Sequence, residues 1–179
     1  MNPISYWQRL KVAFQYVMPQ IYMTQAAGWL AKQKWGAVTH FVIKAFAKKY
    51  NIDMSIAEKE KFSDYASFNE FFIRPLKENA RPINQNPTAL CCPADGRVSE
   101  CGHIDDDRLL QAKGHFFSLN DLLAEDKDLT ETFKNGEFVT TYLSPRDYHR
   151  VHMPCDGTLR KMIYVPGDLF SVNPFLAKH

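Results

Sequence analysis

The sequence predicts an α+β protein, with N-terminal amphipathic helices followed by a β-rich, barrel- or sandwich-like body that carries short helices. Three observations predict it. Apolar residues recur at helical spacing through the first fifty positions. From Leu90 onward the pattern changes to short β-prone runs divided by tight-turn signals such as P-A-D-G, N-G and P-C-D-G. The charge also changes sign: residues 1–50 hold seven Lys or Arg and no Asp or Glu, whereas the remainder holds 15 basic against 20 acidic residues.

Residues 4–18 place Trp7, Leu10, Phe14, Val17 and Met18 on one helical face, and Pro19 closes or kinks that helix. A second helix is expected from Thr24 to Gln33, ending near Gly36, and a third from Ala37 to Tyr50. The third sets Val38, Phe41, Val42, Ala45 and Phe46 opposite His40, Lys44 and Lys48. None has the roughly 18 unbroken apolar residues of a spanning helix. Lysine on one face and Trp or Phe on the other suits a helix lying in a lipid interface. The same pattern also suits helices packed on the protein's own core.

Residues 51–66 read as a polar connector, so the arm (1–60) and the body (61–179) divide near residue 60. Ser67-Phe-Asn-Glu70 is a capping box that opens a short apolar helix, ended by Arg74-Pro75. Pro93-Ala-Asp-Gly96 is a turn before a strand from Arg97 to Ile104. Ser118 to Asp121 caps a helix through Leu123, and Asn135-Gly136 precedes the β-rich run E-F-V-T-T-Y-L. Pro154 to Gly157 is a turn before a strand from Thr158 to Val165, and Pro166 to Asp168 makes a further turn. The two P-x-D-G turns suggest a pair of related hairpins.

Apolar content of 45% with 13% aromatics indicates a folded chain, and 179 residues suffice for one domain with a small appendage. The four cysteines have no framework spacing, and no cleavage site follows an apolar N-terminal core. Reduced thiols facing the cytosol are expected.

The stretch with the densest chemistry is Y-L-S-P-R-D-Y-H-R-V-H-M-P-C-D-G-T-L, residues 142–159. Ser144-Pro145 has the form of a helix start, and Pro154 limits any helix here to one or two turns. On a helix His149 and His152 share a face; on a strand they point to opposite sides. They read either as a proton-handling pair or as loop histidines bonded to nearby backbone. Asp95 has two readings as well. It accepts N–H groups of its own turn, or it bonds one imidazole nitrogen and leaves the other as a base. Asp95, His149 and His152 would then be acid/base residues, but no nucleophile stands out beside them. His149, His152 and Cys155 fall at three-residue intervals, a metal-like spacing without a second ligand pair, so no metal is expected.

F-N-E-F-F-I-R-P-L-K, P-A-D-G, Q-A-K-G-H, the run from G-E-F-V-T-T to H-R-V-H-M-P, and Y-V-P-G-D-L-F-S-V-N together resemble bacterial phosphatidylserine decarboxylase, from about residue 5 to Asn173. The resemblance implies a lyase that makes phosphatidylethanolamine at the cytoplasmic face of the cell membrane. Its cofactor would be a pyruvoyl group, cut from the protein's own chain before a serine in an L-G-S-T motif. It implies that Asp95 and His152 activate that serine and that His149 serves the decarboxylation step. The implied partners are phosphatidylserine, an anionic membrane surface and a pyruvoyl-bearing small subunit; nucleic acid is not expected. None of the eight glycines precedes a serine, and P-F-L-A-K-H departs from the family pattern, so a proenzyme truncated at its C-terminus and inactive alone is expected. The competing readings are a non-catalytic module for anionic membranes and a metal-dependent hydrolase using His149, His152 and Cys155.

Overall fold

The computed structural model describes residues 18–112 and 115–167, which fall into two compact units. The helix expected over residues 4–18 lies outside them except for Met18. Helix α1, Gln20–Ala31, belongs partly to each unit. Pro19 opens it, accepting the Met23 N–H at 3.1 Å, so the helix begins earlier than Thr24. It carries no charged residue, and Ile21, Tyr22, Met23, Trp29 and Leu30 are exposed around it with none buried. The amphipathic face expected here is therefore not formed.

The first unit comprises residues 26–97 and 141–161. Its main helix, α2 (Ala37–Tyr50), ends where Asn51 adopts a left-handed φ of 51° and donates to Ala47 and Lys48 carbonyls. Lys48 and Lys49 in the last turn complement the helix dipole. The buried stripe is Thr39, Ile43 and Ala47, spaced four apart. Val38, Phe41 and Val42, expected to share the apolar face, are exposed. The helix is apolar on two sides, and the side that meets the aromatic cluster of residues 62–71 wins the interior. That cluster sets Tyr65 and Phe71, both fully buried, against Ile43 and Ala47, with Phe46, Phe62 and Phe68 around them.

The polar connector after α2 contains a 3-10 turn, Phe62–Asp64, and an antiparallel bridge between Ala57 and Leu76. Helix α3, Phe68–Phe72, is capped as expected: Ser67 Oγ accepts the Glu70 N–H at 3.2 Å. The Glu70 carboxylate returns to the Ala66 N–H at 3.0 Å and takes the Lys59 ammonium at 2.7 Å. Residues 158–161, expected to start a strand, have no regular structure.

The second unit holds residues 98–140 together with 18–25 and 162–167 among those described. Strand β1 (Arg97–His103) and strand β4 (Glu137–Tyr142) make one two-stranded sheet. Their contacts run in opposite order along the chain, Ser99 Oγ to the Thr140 carbonyl and Ile104 N–H to the Gly136 carbonyl, which is an antiparallel register. Strands β2 (Arg108–Ala112) and β3 (His115–Ser118) form a second antiparallel pair with an irregularity between Leu110 and Ala112. Helix α4 (Leu119–Leu122) is capped by Ser118 as its sequence signalled. Helix α5 (Lys127–Phe133) was not expected, although Asp126, which accepts the Leu129 N–H at 3.2 Å, is an N-cap signal for it. Ile104 and Leu119 are buried against Leu123 and Phe138.

The architecture is mixed α and β, with two small two-stranded sheets among the described residues. The expected strand from Thr158 to Val165 is absent, and Leu159, Met162, Tyr164 and Val165 stand exposed. A β-prone run without a partner strand leaves its backbone groups to water, so composition alone does not make it a strand.

Candidate functional site

The densest chemistry lies within the first unit, on the loop after β4. Ser144 to Asp147 forms a single turn and not a helix. It is closed by Asp147 N–H to the Ser144 carbonyl at 2.9 Å. The Asp147 carboxylate reaches back to accept both the Ser144 N–H and the Ser144 hydroxyl, each at 2.7 Å. That turn occupies the Ser144 hydroxyl and starts the loop in a fixed direction.

Two cationic side chains bind the loop to α3 and the residues just after it. Arg150 Nε donates to the Ile73 carbonyl at 2.7 Å, and Arg74 Nη2 donates to the Arg146 carbonyl at 3.3 Å. Arg74 is 2% exposed and lies 5.4 Å from the Phe71 ring centroid. Its Nε and Nη1 have no hydrogen-bond partner among the described residues. Burial pushes this guanidinium below its ordinary value. Between these two contacts His149 stacks on Phe72, with centroids 4.1 Å apart and planes 25° apart. His149 Nε2 lies 2.9 Å from the Ser144 carbonyl; since a carbonyl only accepts, that nitrogen carries the proton.

A second set of contacts joins the loop to the Pro93–Gly96 turn. The His152 N–H donates to the Pro93 carbonyl and the Cys91 N–H to the Pro154 carbonyl, both at 2.8 Å. These two bonds flank Cys92 and Met153 as in an antiparallel ladder. At Gly96 an added Cβ would lie 2.5 Å from the Tyr142 carbonyl oxygen, so only glycine allows this close approach. His152 stacks on Tyr148, with centroids 5.5 Å and planes 20° apart, and its Nε2 lies 2.9 Å from the Tyr148 hydroxyl.

The two imidazoles therefore share one loop but rest on different neighbours, His149 on Phe72 and His152 on Tyr148. Asp95 sits in the turn paired with His152, yet its carboxylate binds the Arg81 guanidinium. Nε is 3.0 and 2.8 Å from its two oxygens, and Nη2 makes a further contact. This replaces both expected partners, its own turn and an imidazole. Asp95 holds Arg81 above its ordinary value, with Asp53 and Tyr148 adding to the effect through space. Arg81 and Tyr148 were not singled out from the sequence. R-P-I near a P-x-D-G turn was the only signal for the first, and position i+4 from His152 the only one for the second.

The four cysteines are free thiols, and no cluster of metal-ligating side chains occurs among the described residues. No helix there is long and apolar enough to cross a membrane.

Residues 68–179 match the family model described as phosphatidylserine decarboxylase, and residues 10–51 match a second model described as PSD. The chain is similar to the phosphatidylserine decarboxylase proenzyme of Haemophilus influenzae strain Rd, at 89% identity over all 179 residues, which is 62% of that relative. It is 79% identical over 176 residues to the proenzyme of Pasteurella multocida and 76% identical over 176 residues to that of Mannheimia succiniciproducens. Each of these two alignments covers 98% of this chain and 60% of the relative. The chain thus spans about three fifths of the length of the relatives it matches. With most of the chain inside the family model, including the whole imidazole loop, it belongs to the phosphatidylserine decarboxylase family.

Proposed function

We propose that this chain is the part of a phosphatidylserine decarboxylase proenzyme that supplies its proton-handling residues, converting phosphatidylserine to phosphatidylethanolamine and carbon dioxide. The observation that carries this reading is the 142–154 loop. It seats His149 on Phe72 and His152 on Tyr148 and pairs its backbone with the turn bearing Asp95. Asp95 and His152 prepare a serine hydroxyl for self-cleavage, the imidazole removing its proton and the carboxylate orienting the ring. Asp95 does so after exchanging Arg81 for His152 Nδ1, which has no partner among the described residues. His149 returns a proton to the substrate carbon after carbon dioxide leaves.

The cofactor in this reading is a pyruvoyl group derived from a serine that these 179 residues do not contain. The residues present fit it. Two imidazoles hydrogen-bonded to uncharged oxygens sit on a loop fixed at both ends, which suits proton transfer to and from a neighbouring electrophile. When present, the group supplies a carbonyl that binds the substrate amine and accepts the electron pair released on decarboxylation. The pyruvoyl-bearing small subunit would add strands that close the body into a barrel or sandwich and cover the exposed run 158–165.

Residues 1–60 act as the membrane-associating arm, placing the enzyme peripherally on the cytoplasmic face of the cell membrane, and 61–179 form the catalytic portion. Exposed Val38, Phe41, Val42, Trp29 and Trp35 on an arm with no Asp or Glu before residue 51 support docking on an anionic surface. That feature is also what favours the second reading, a membrane-binding module without chemistry.

The test uses this chain completed with the remaining part of the Haemophilus influenzae proenzyme. His152→Ala and Asp95→Asn are expected to abolish self-cleavage. His149→Ala is expected to cleave normally and then lose turnover by about 10²-fold or more. Normal cleavage and turnover in all three variants would remove the roles given to these residues, whereas an unsubstituted completed chain that neither cleaves nor turns over would leave only the membrane module. The 179-residue chain alone is expected to release no carbon dioxide from phosphatidylserine vesicles, and release would refute its inactivity.

A further inference from the structure

Tyr148 is 9% exposed, and its phenol ring lies along the His152 imidazole. Phenylalanine would stack equally well. A buried hydroxyl costs free energy unless bonded, and this one is spent on His152 Nε2 at 2.9 Å and not on a backbone carbonyl. The His152 backbone N–H donates to the Pro93 carbonyl at 2.8 Å, which fixes the main chain that carries the ring. A hydroxyl that donates to Nε2 leaves the imidazole proton on Nδ1. That is the tautomer in which Nε2 offers its lone pair to an incoming O–H, while Nδ1–H is available to a carboxylate.

We propose that Tyr148 is a positioning residue for His152: its hydroxyl holds the imidazole in the base-ready Nδ1–H tautomer until the serine hydroxyl of the completed proenzyme displaces it. This rests on the reading of His152 as the base of self-cleavage. Tyr148 is a stand-in for that serine, presenting the same O–H to the same nitrogen. The charged and titratable groups around the pair are Arg81 with Asp95 and Asp53 behind it, Arg146, Asp147, His149 and Arg150 on the loop itself, and Cys91 and Cys92 on the paired segment.

Two measurements test the proposal on the completed proenzyme. In the first, a serine-to-alanine change in the L-G-S-T motif stops cleavage and ¹⁵N-histidine spectra are recorded near pH 8. His152 is expected to show the Nδ1–H form as its dominant tautomer, and Tyr148→Phe to return it to the mixture of a free imidazole. An Nε2–H form or rapid averaging in the unmutated ring overturns the proposal without any Tyr148 variant. In the second, Tyr148→Phe is expected to slow self-cleavage about threefold to thirtyfold and to shift the acid limb of its pH profile by about half a unit or more. An unchanged rate, or a slower rate with an unmoved profile, overturns it. His152→Ala in the same assay separates the two ideas. Its normal cleavage removes the base assignment, whereas its loss of cleavage beside an unaffected Tyr148→Phe removes only the role of Tyr148.

Discussion

Gly96→Ala tests how tightly the Asp95 turn is pressed against the backbone that leads into the imidazole loop. The added Cβ would lie 2.5 Å from the Tyr142 carbonyl oxygen, 2.8 Å from Thr141 Cγ2 and 3.1 Å from the Tyr142 carbonyl carbon. Ordinary contact begins near 3.4 Å, so the two backbones must part by about 1 Å. Because two of the three nearest atoms are main chain, a rotamer change cannot relieve the clash. We expect the upper end of the overpacking range, about 3 kcal/mol, or a fall in Tm of roughly 6–12 °C for a chain of this size. Gly28→Ala is the internal control. Nothing lies within 4 Å of its Cβ inside α1, so it is expected to gain about 0.5–1 kcal/mol from the lower entropy of the unfolded chain. Thermal melts followed by far-ultraviolet circular dichroism read both variants. A Gly96→Ala protein melting within about 1 °C of the unmutated chain would refute the close approach.

Two further outcomes follow from side chains in the same unit. Lys59 first, and then the Ala66 N–H, hold the Glu70 carboxyl below its ordinary value. A carboxyl lowered in the folded state contributes stability above its unfolded value near pH 4.5 and loses that contribution as pH falls through the folded value. Glu70→Gln is therefore expected to flatten the decline in urea midpoint below about pH 4.5, and an unchanged decline would exclude Glu70 as its source. Arg74→Met keeps most of the buried volume but removes a charge with two unpartnered nitrogens. Relief of desolvation, several kcal/mol, outweighs one long hydrogen bond and one ring contact of about 1 kcal/mol each, so stability is expected to hold or rise. A loss above about 2 kcal/mol in urea unfolding would show that Arg74 is better satisfied than its contacts indicate.

Several local signals read correctly from the sequence, although the Asp126 cap was missed and the helix start at Ser144-Pro145 closes only a turn. Ser67 and Ser118 each cap the helix that follows them, and Asn135-Gly136 leads directly into β4. Where a distant partner decides, the reading fails. Val38, Phe41 and Val42 are as apolar as Ile43, and only the aromatic cluster some twenty residues later selects the buried side of α2. The strand expected from Thr158 to Val165 has the right composition and no neighbour to pair with among the described residues. Asp95, His149 and His152 stood out because acid/base chemistry needs few residue types. Arg81 and Tyr148 did not, because their importance lies in where the backbone pairing of residues 91–93 with 152–154 brings them.

This failure bears on how the loop works. A loop with two imidazoles and no helix or strand of its own is held at its far end by the backbone pairing of residues 91–93 with 152–154, and elsewhere by side chains. Two cations add to that pairing, Arg150 on the Ile73 carbonyl and Arg74 on the Arg146 carbonyl, and Arg81 holds the Asp95 carboxylate in the paired turn. Charge-assisted bonds are stronger than neutral ones and can be exchanged one at a time without unfolding an element. His149 is seated between the first two and Asp95 is engaged by the third. In the proposed mechanism one ring stays stacked on Phe72 while Asp95 changes partner as a serine hydroxyl approaches His152. Of the two arginines in R-D-Y-H-R, Arg150 anchors the loop through its guanidinium on the Ile73 carbonyl, whereas Arg146 contributes its main-chain carbonyl to Arg74.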